Sequence, residues 1–121
     1  GLHSSTSFVN ADFSLGYAYW TREGDAGVKN GYGFARGGGA LLQGIYLTEG
    51  KHVIEAEVRG TGVLEARDAL SGKCLARQGF CFESEDWTRL SITFETAAPA
   101  DCLIGLGASE EASVRNCKLC E

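Results

Sequence analysis

The chain has 121 residues and a formal net charge of −5, and 44% of its residues are hydrophobic and 22% charged. This composition is typical of a globular protein with one core, so we expect residues 1–121 to form a single domain. The acidic balance without a basic cluster argues against nucleic-acid binding, because phosphate contacts need grouped lysine and arginine. No apolar run approaches the roughly 20 residues of a membrane-spanning helix, which argues against a membrane partner.

The first informative segment is VNADFSLGYAYWTREGD, residues 9–25, in which four aromatic residues lie among three acids. Phe13 and Trp20 are expected in the core. Tyr17 and Tyr19 lie in a connection rich in small residues, where a ring either packs inward or presents its apolar plane to a ligand. The segment therefore leaves two interpretations open for the tyrosines.

Hydrophobic and polar residues alternate along the rest of the chain, in short runs separated by glycine-containing turns. In HVIEAEVRG, for example, Ile54, Ala56 and Val58 alternate with charged residues. This alternation is typical of half-buried strands, and no stretch of 11 residues has a helical period. The predicted strands are 19–28, 32–36, 40–47, 52–59, 62–68, 74–82, 87–96, 101–107 and 113–119. So many short strands predict an antiparallel β-sandwich.

Five cysteines are present, so at least one thiol is free or pairs between chains. The C-x-x-C motif of Cys117 and Cys120 has no second Cys or His pair for zinc, and it lies in a predicted strand rather than at a helix start. We therefore expect structural thiols. Cys74 and Cys81 could meet only if the segment between them folds back as a hairpin.

Nothing in the pattern predicts catalysis. A glycosidase needs two carboxylates held across a cleft, whereas the carboxylates here are scattered along exposed strand positions. Neither His3 nor His52 has an evident partner for acid–base work. We therefore expect that the protein is not an enzyme.

In chain order, several segments resemble galactose-binding-like jelly-roll carbohydrate-binding modules, which begin with N-x-x-F-E-x-G followed by Trp and end with V-D-D-V-x-L. The corresponding segments are NADFSLG at 10–16 with Trp20, GYGF at 31–34, LLQGIYLTEGKHVIEAEVRG at 41–60, RDALSGKCLA at 67–76, DWTRLSITFETA at 86–97 and SVRNCKLC at 113–120. The resemblance covers residues 8–120. It implies an all-β, antiparallel jelly-roll β-sandwich of two sheets.

The resemblance also raises the question of calcium. Such modules often hold a structural calcium ion with the Glu of F-E-x-G and an Asp near the last strand. This chain has Ser14 and Asn116 at those positions, with Asp12 offset by two residues. Because calcium favours carboxylate oxygens, we expect that the site is lost and that no metal or other cofactor is bound.

Sheet membership is implied by the resemblance. Strands around 20–28, 41–47, 88–95 and 113–119 would form one sheet, and strands around 32–36, 53–59, 62–68 and 101–107 a concave, glycan-binding one. Alternation would then point Ile54, Ala56, Val58, Leu64, Ala66, Ile104 and Leu106 inward, together with Phe13, Phe34 and Phe94. The outer face of the concave sheet would carry Glu55, Glu57, Arg59, Glu65, Arg67, Leu103, Gly33, Ala35 and Gly105, and no aromatic residue.

Sugars are recognised by aromatic planes and by polar groups that bind hydroxyls. The predicted carbohydrate-binding residues are Tyr17, Tyr19, Tyr32, Glu55, Glu57, Arg59, Glu65 and Arg67. A second interpretation of the charged residues is a solvated face with cross-strand Glu–Arg pairs. Trp87, which opens a predicted strand, is expected to have a structural role.

The resemblance implies a non-catalytic carbohydrate-binding module that tethers a parent enzyme to polysaccharide or oligosaccharide. The parent would be a larger multidomain bacterial protein, extracellular or on the cell surface. The alternative is a structural or protein-interaction module of the same fold, acting as a spacer or in adhesion without binding glycan. Exposure of Tyr17, Tyr19 and Tyr32 discriminates the two, since exposed coplanar rings favour glycan binding and buried rings favour a spacer.

Overall fold

The computed structural model describes residues 7–120, which contain nine β-strands. The strands are β1 (Thr21–Glu23), β2 (Ala26–Lys29), β3 (Tyr32–Arg36), β4 (Gly39–Leu47), β5 (Gly50–Asp68), β6 (Cys74–Phe82), β7 (Thr88–Thr96), β8 (Ala100–Ala108) and β9 (Glu111–Cys120). Every strand pair is antiparallel. The all-β class predicted from alternation is confirmed.

The 19-residue strand β5 belongs to both sheets of the sandwich. Its first half pairs with β7 and β9, which gives a first sheet in the order β7-β5-β9-β3-β2. Its second half pairs with β6 and β8, which gives a second sheet in the order β6-β5-β8-β4-β1. The core lies between the two sheets.

The chain passes from one sheet to the other at Gly60, whose φ is +87°. A Cβ at this position would run into the carbonyl of Glu111 and come within 3.1 Å of Ala112 Cα. Glycine is therefore required on two grounds, conformation and space. The predicted strands 52–59 and 62–68 are in fact one strand, because Gly60 marks a bend within the ladder instead of a turn between strands.

Three of the sequence-based sheet assignments are wrong. Residues 53–59 were expected in the sheet of 101–107, but they pair with β7 and β9. Residues 41–47 were expected in the same sheet as 113–119, but β4 pairs with β8 and β1 in the other sheet. Residues 32–36 were expected in the same sheet as 101–107, but β3 pairs with β9 and β2 in the first sheet. The predicted strand 19–28 is also divided, since β1 and β2 join different sheets. Alternation specifies which face a side chain occupies and carries no information about the neighbouring strand.

The interior contains the residues predicted from alternation. Ile54, Ala56, Val58, Leu64, Ala66, Ile104 and Leu106 are all buried in one hydrophobic cluster. Phe13 and Trp20 stack with ring centroids 4.8 Å apart in the same cluster, and Phe94 is buried in it too. Burying an aliphatic or aromatic side chain of this size contributes roughly 1.5–3 kcal/mol to folding.

Candidate functional site

Two aromatic side chains of β3 project from the outer face of the first sheet. Gly33 and Ala35 are buried, so Tyr32 and Phe34 point the other way. A Cβ on Gly33 would lie 2.8 Å from the Phe13 ring, because that ring fills the core beneath the strand. The expectation that Phe34 points inward and that Gly33 and Ala35 face outward is therefore wrong.

Trp87 lies beside these rings, immediately before β7. It meets Tyr32 edge-on, with ring centroids 5.6 Å apart. The Arg59 guanidinium carbon lies 4.3 Å from the Trp87 ring centroid and 4.7 Å from that of Tyr32, and Arg115 lies 4.4 Å from Trp87. The outer face of the first sheet thus has aromatic residues, contrary to the prediction that the binding face would have none.

A groove of about 520 Å³ runs beside these rings, and we call it the aromatic groove. It is lined by Lys29, Tyr32, Phe34, Arg59, Gly60, Phe82, Glu83, Ser84, Glu85, Glu111, Ala112 and Ser113. Its volume is within the range of small-molecule sites, about 300–1,000 Å³. Rings, hydroxyls and charged groups therefore meet in one depression.

The charges on the outer face of the first sheet are arranged in two ways. Arg36 pairs with Asp25 at 2.8 Å, and Arg115 pairs with Glu57 at 3.1 Å. Arg59, in contrast, donates a long 3.5 Å hydrogen bond to the Glu85 carbonyl. Within residues 7–120, Arg59 has no carboxylate partner within 4.0 Å.

Glu57 is committed to the protein itself. Its two carboxylate oxygens accept hydrogen bonds from Asn116 Nδ2 at 2.6 Å and from Arg115 at 3.1 Å. These donors lower the pKa of Glu57, Asn116 contributing most. Glu55 is a half-buried neighbour on the same face.

Glu65 and Arg67 lie in a different place. They follow Gly60, so they project from the outer face of the second sheet, where a groove of about 440 Å³ has glycines in its walls and floor. Arg67 pairs there with Glu23 at 2.7 Å. The expectation that Glu55, Glu57, Arg59, Glu65 and Arg67 share one face is wrong, because β5 changes sheet between the two groups.

The opening loop carries the two remaining predicted residues. Tyr17 is 44% exposed and Tyr19 is 65% exposed, whereas Tyr32 is half-buried in the aromatic groove. The Arg22 guanidinium lies 4.1 Å from the Tyr17 ring centroid. Tyr17 and Tyr19 are therefore exposed, as expected for a glycan-binding module. Tyr32 is packed against Trp87, so the three rings do not all meet that expectation.

Asn10 organises this loop. Its side-chain amide donates to the carbonyls of Gly16 and Ala18, both at 2.9 Å, and its Oδ1 accepts from Leu15 N at 2.9 Å. The Asn116 backbone amide, on β9, donates to the Ala11 carbonyl at 2.9 Å. The loop is thus tied directly to the last strand.

The residues at the expected calcium position do not fit the ion. The Asp12 carboxylate accepts from the Ser14 backbone amide at 3.0 Å, and the Asn116 side chain is turned toward Glu57. Among residues 7–120, no three His, Cys, Asp or Glu side chains are grouped as metal ligands. His3 lies outside the described residues.

All five cysteines belong to the described part of the chain and are free. Cys74 and Cys81 stand at opposite ends of β6, roughly 20 Å apart, so the hairpin that would join them does not form. Burial raises the pKa of Cys117 to about 12 and that of Cys102 to about 11. A buried thiol with a raised pKa is a poor nucleophile, so Cys117 is unsuited to redox chemistry.

Sequence reasoning missed Phe34 and Ser113 as groove residues, and it missed Trp87 as the ring packed beside Tyr32. One signal was present, because Tyr32 and Phe34 are two positions apart and had to share a face. The choice of face depended on Phe13 and Leu41, which fill the space under Gly33 from distant parts of the chain. That contact is not visible in a local pattern.

Searches with family models and against curated proteins give no match. Solved structures do match. A structure described as "CBM4 structure and function" has a TM-score of 0.75 at 14% identity, with 92% of this chain and 97% of that chain covered. This chain has the jelly-roll fold of carbohydrate-binding modules. The module CsCBM6-3 from Clostridium stercorarium, solved with cellobiose, shares the jelly roll, with a TM-score of 0.65, 17% identity and coverage of 100% and 98%.

The same jelly roll occurs in a protein of another kind. The Stig cyclase Fisc from Fischerella sp. TAU matches with a TM-score of 0.67 and 13% identity, covering 96% of this chain and 97% of that chain. The fold alone therefore does not decide between binding and catalysis, and function has to be argued from the site.

In residues 7–120 there is no helix long and apolar enough to cross a membrane.

Proposed function

We propose that this protein is a non-catalytic carbohydrate-binding module and that the aromatic groove is its glycan site. The observation that carries the proposal is the meeting of Tyr32, Phe34 and Arg59 in one groove of the first sheet. Ring planes cover the C–H faces of sugars, while the guanidinium and the Ser113 hydroxyl bond to sugar hydroxyls.

The remaining predicted residues have different places in this proposal. Tyr32 and Arg59 line the groove, and Glu57 supports it through Arg115. Tyr17 and Tyr19 lie on the opening loop, outside the residues that line the aromatic groove. Glu65 and Arg67 lie on the other sheet, so a role for them needs a second contact with the glycan.

A catalytic role has less support. The described histidine, His52, is buried and bonded to the Thr48 carbonyl at 2.8 Å and to Thr96 Oγ1 at 3.1 Å. It therefore has a structural environment, away from either groove. The carboxylates that line the aromatic groove are exposed, whereas a glycosidase requires two carboxyl groups in dissimilar environments.

The role we infer is tethering. A weak glycan contact raises the local concentration of an attached catalytic domain near its substrate. The domain, residues 1–121, would then belong to a larger extracellular or cell-surface bacterial protein. This context follows from the proposed glycan ligand.

A protein-interaction role is the second candidate, and the opening loop favours it. Leu15 is 64% exposed and Tyr19 is 65% exposed on a loop fixed by Asn10. Exposed hydrophobic and aromatic side chains on a rigid segment suit a protein contact.

Calorimetric titration with neutral and acidic oligosaccharides tests the glycan site. We expect Tyr32→Ala to weaken binding about tenfold, as loss of a central stacking ring does. Tyr19→Ala is the matched control and should leave affinity unchanged. If no oligosaccharide binds at millimolar concentration, or if Tyr19→Ala is the more damaging change, the proposed site is wrong.

A further inference from the structure

Arg59 lines the aromatic groove, and its charge is unpaired among residues 7–120. Its guanidinium lies over both Tyr32 and Trp87, at 4.7 and 4.3 Å from their ring centroids. This stacking fixes the plane of the group but uses none of its five N–H donors. The 3.5 Å contact with the Glu85 carbonyl is at the limit of a hydrogen bond.

Three other arginines of the two outer faces are paired within the protein, whereas Arg77 and Arg89, like Arg59, have no carboxylate within 4.0 Å among residues 7–120. Arg36, Arg67 and Arg115 each pair with a carboxylate, the shortest contacts being 2.8, 2.7 and 3.1 Å. Among the described residues, Arg59 has no such partner, although it sits in the depression that a ligand would enter. Its donors are therefore available to a group on the ligand.

The charges around Arg59 restrict what that group can be. Lys29 adds a second cation in the groove, resting 4.9 Å from the Phe34 ring centroid. Glu83, Glu85 and Glu111 also line the groove, so a ligand with a dense row of negative charges would be repelled. A single carboxylate at Arg59 is accommodated, because the planar guanidinium fork matches a carboxylate with two parallel hydrogen bonds.

We propose that Arg59 makes the aromatic groove selective for glycans that carry isolated uronic acid residues. The ring of the sugar acid stacks on Tyr32 or Phe34, and its carboxylate accepts hydrogen bonds from Arg59. This inference rests on the proposed function and adds the class of sugar. Neutral sugars bind the same rings, but without the charged contact.

The test compares an oligosaccharide that contains one glucuronic acid residue with the methyl ester of the same compound. The two ligands differ at the carboxyl group alone, which is a charged carboxylate in the acid and a neutral methyl ester in the other compound. We expect the acid to bind the wild-type protein about tenfold more tightly than the ester, since a charge-assisted hydrogen bond is stronger than a neutral one. Raising the salt concentration should reduce the difference.

Substitution then assigns the effect. Arg59→Ala should remove the preference for the acid, and Arg59→Lys should keep only part of it because lysine lacks the planar fork. Arg89→Ala, on the same face, and Arg77→Ala, in the groove of the second sheet, are the matched controls and should keep the full preference. Thermal unfolding of each variant checks that it is folded.

The outcomes separate the two proposals. If acid and ester bind equally to the wild type, or if the preference survives in Arg59→Ala, glycan binding stands and the role of Arg59 is wrong. If neither ligand nor any neutral oligosaccharide binds, the proposed function fails and this inference fails with it.

Discussion

The charged side chains on the outer face of the first sheet are of two kinds. Some are paired within the protein and stabilise the fold, and others are available to a ligand. Glu57 belongs to the first kind, because Asn116 and Arg115 both donate to it. Arg59 belongs to the second. Local alternation placed both side chains outward correctly, yet their roles depend on β9, which is more than 50 residues away in sequence.

We expect Glu57→Gln to lower the free energy of unfolding by about 1–2 kcal/mol, since it removes charge-assisted hydrogen bonds. The folded state lowers the pKa of Glu57, so its contribution is present above the ordinary glutamate pKa of about 4.3 and is lost as pH falls below it. Urea unfolding between pH 7 and pH 3 measures this. Glu55→Gln is the matched control, and equal effects of the two variants would refute the assignment.

Among the elements, β5 has the largest structural role, because it contributes a ladder to each sheet. Its two halves place different residues on opposite sides of the sandwich. Gly60 makes this possible by adopting a φ of +87° where the backbone of Glu111 leaves no room for a side chain.

Gly60→Ala should therefore destabilise the protein by about 3 kcal/mol, the sum of a left-handed conformation and a steric clash. Gly72→Ala separates the two contributions. Gly72 has a φ of +76°, and a Cβ there would have no described heavy atom within 4 Å, so we expect a cost of about 1 kcal/mol. Chemical denaturation of both variants checks the difference. Equal losses would show that the clash at Gly60 is relieved by backbone movement.

The bounds of several strands were predictable from the sequence, but the partners of the strands were not. Alternation located β3 and β6 with the observed bounds, and it identified the inward residues of β5. Alternation gave the wrong faces for the side chains of β3. Gly33 and Ala35 are buried, with Phe13 and Leu41 packed beneath Gly33, while the larger rings of Tyr32 and Phe34 point outward. Pairing also depends on contacts between distant segments, which a one-dimensional pattern does not contain.

At the scale of the whole molecule, the opening loop is joined to the last strand by hydrogen bonds between protein groups. The Asn116 amide donates to the Ala11 carbonyl at 2.9 Å, and Asn10 holds the loop from within. Ser14 and Asn116 supply neither of the carboxylates that a calcium ion would favour.

We therefore expect the melting temperature to be the same in EDTA and in calcium chloride, because a ligand stabilises the folded state only if it binds there. Differential scanning calorimetry of the same preparation in both buffers makes the measurement. An increase with calcium that EDTA reverses would show that the loop retains a metal site.

The account as a whole depends on where a glycan binds. Chemical-shift mapping of the ¹⁵N-labelled protein during titration with acidic and neutral oligosaccharides locates the site directly. The account predicts that the largest shifts fall on Tyr32, Phe34, Arg59 and Ser113, in the aromatic groove. Shifts confined to Glu65 and Arg67, or none at millimolar ligand, would contradict it.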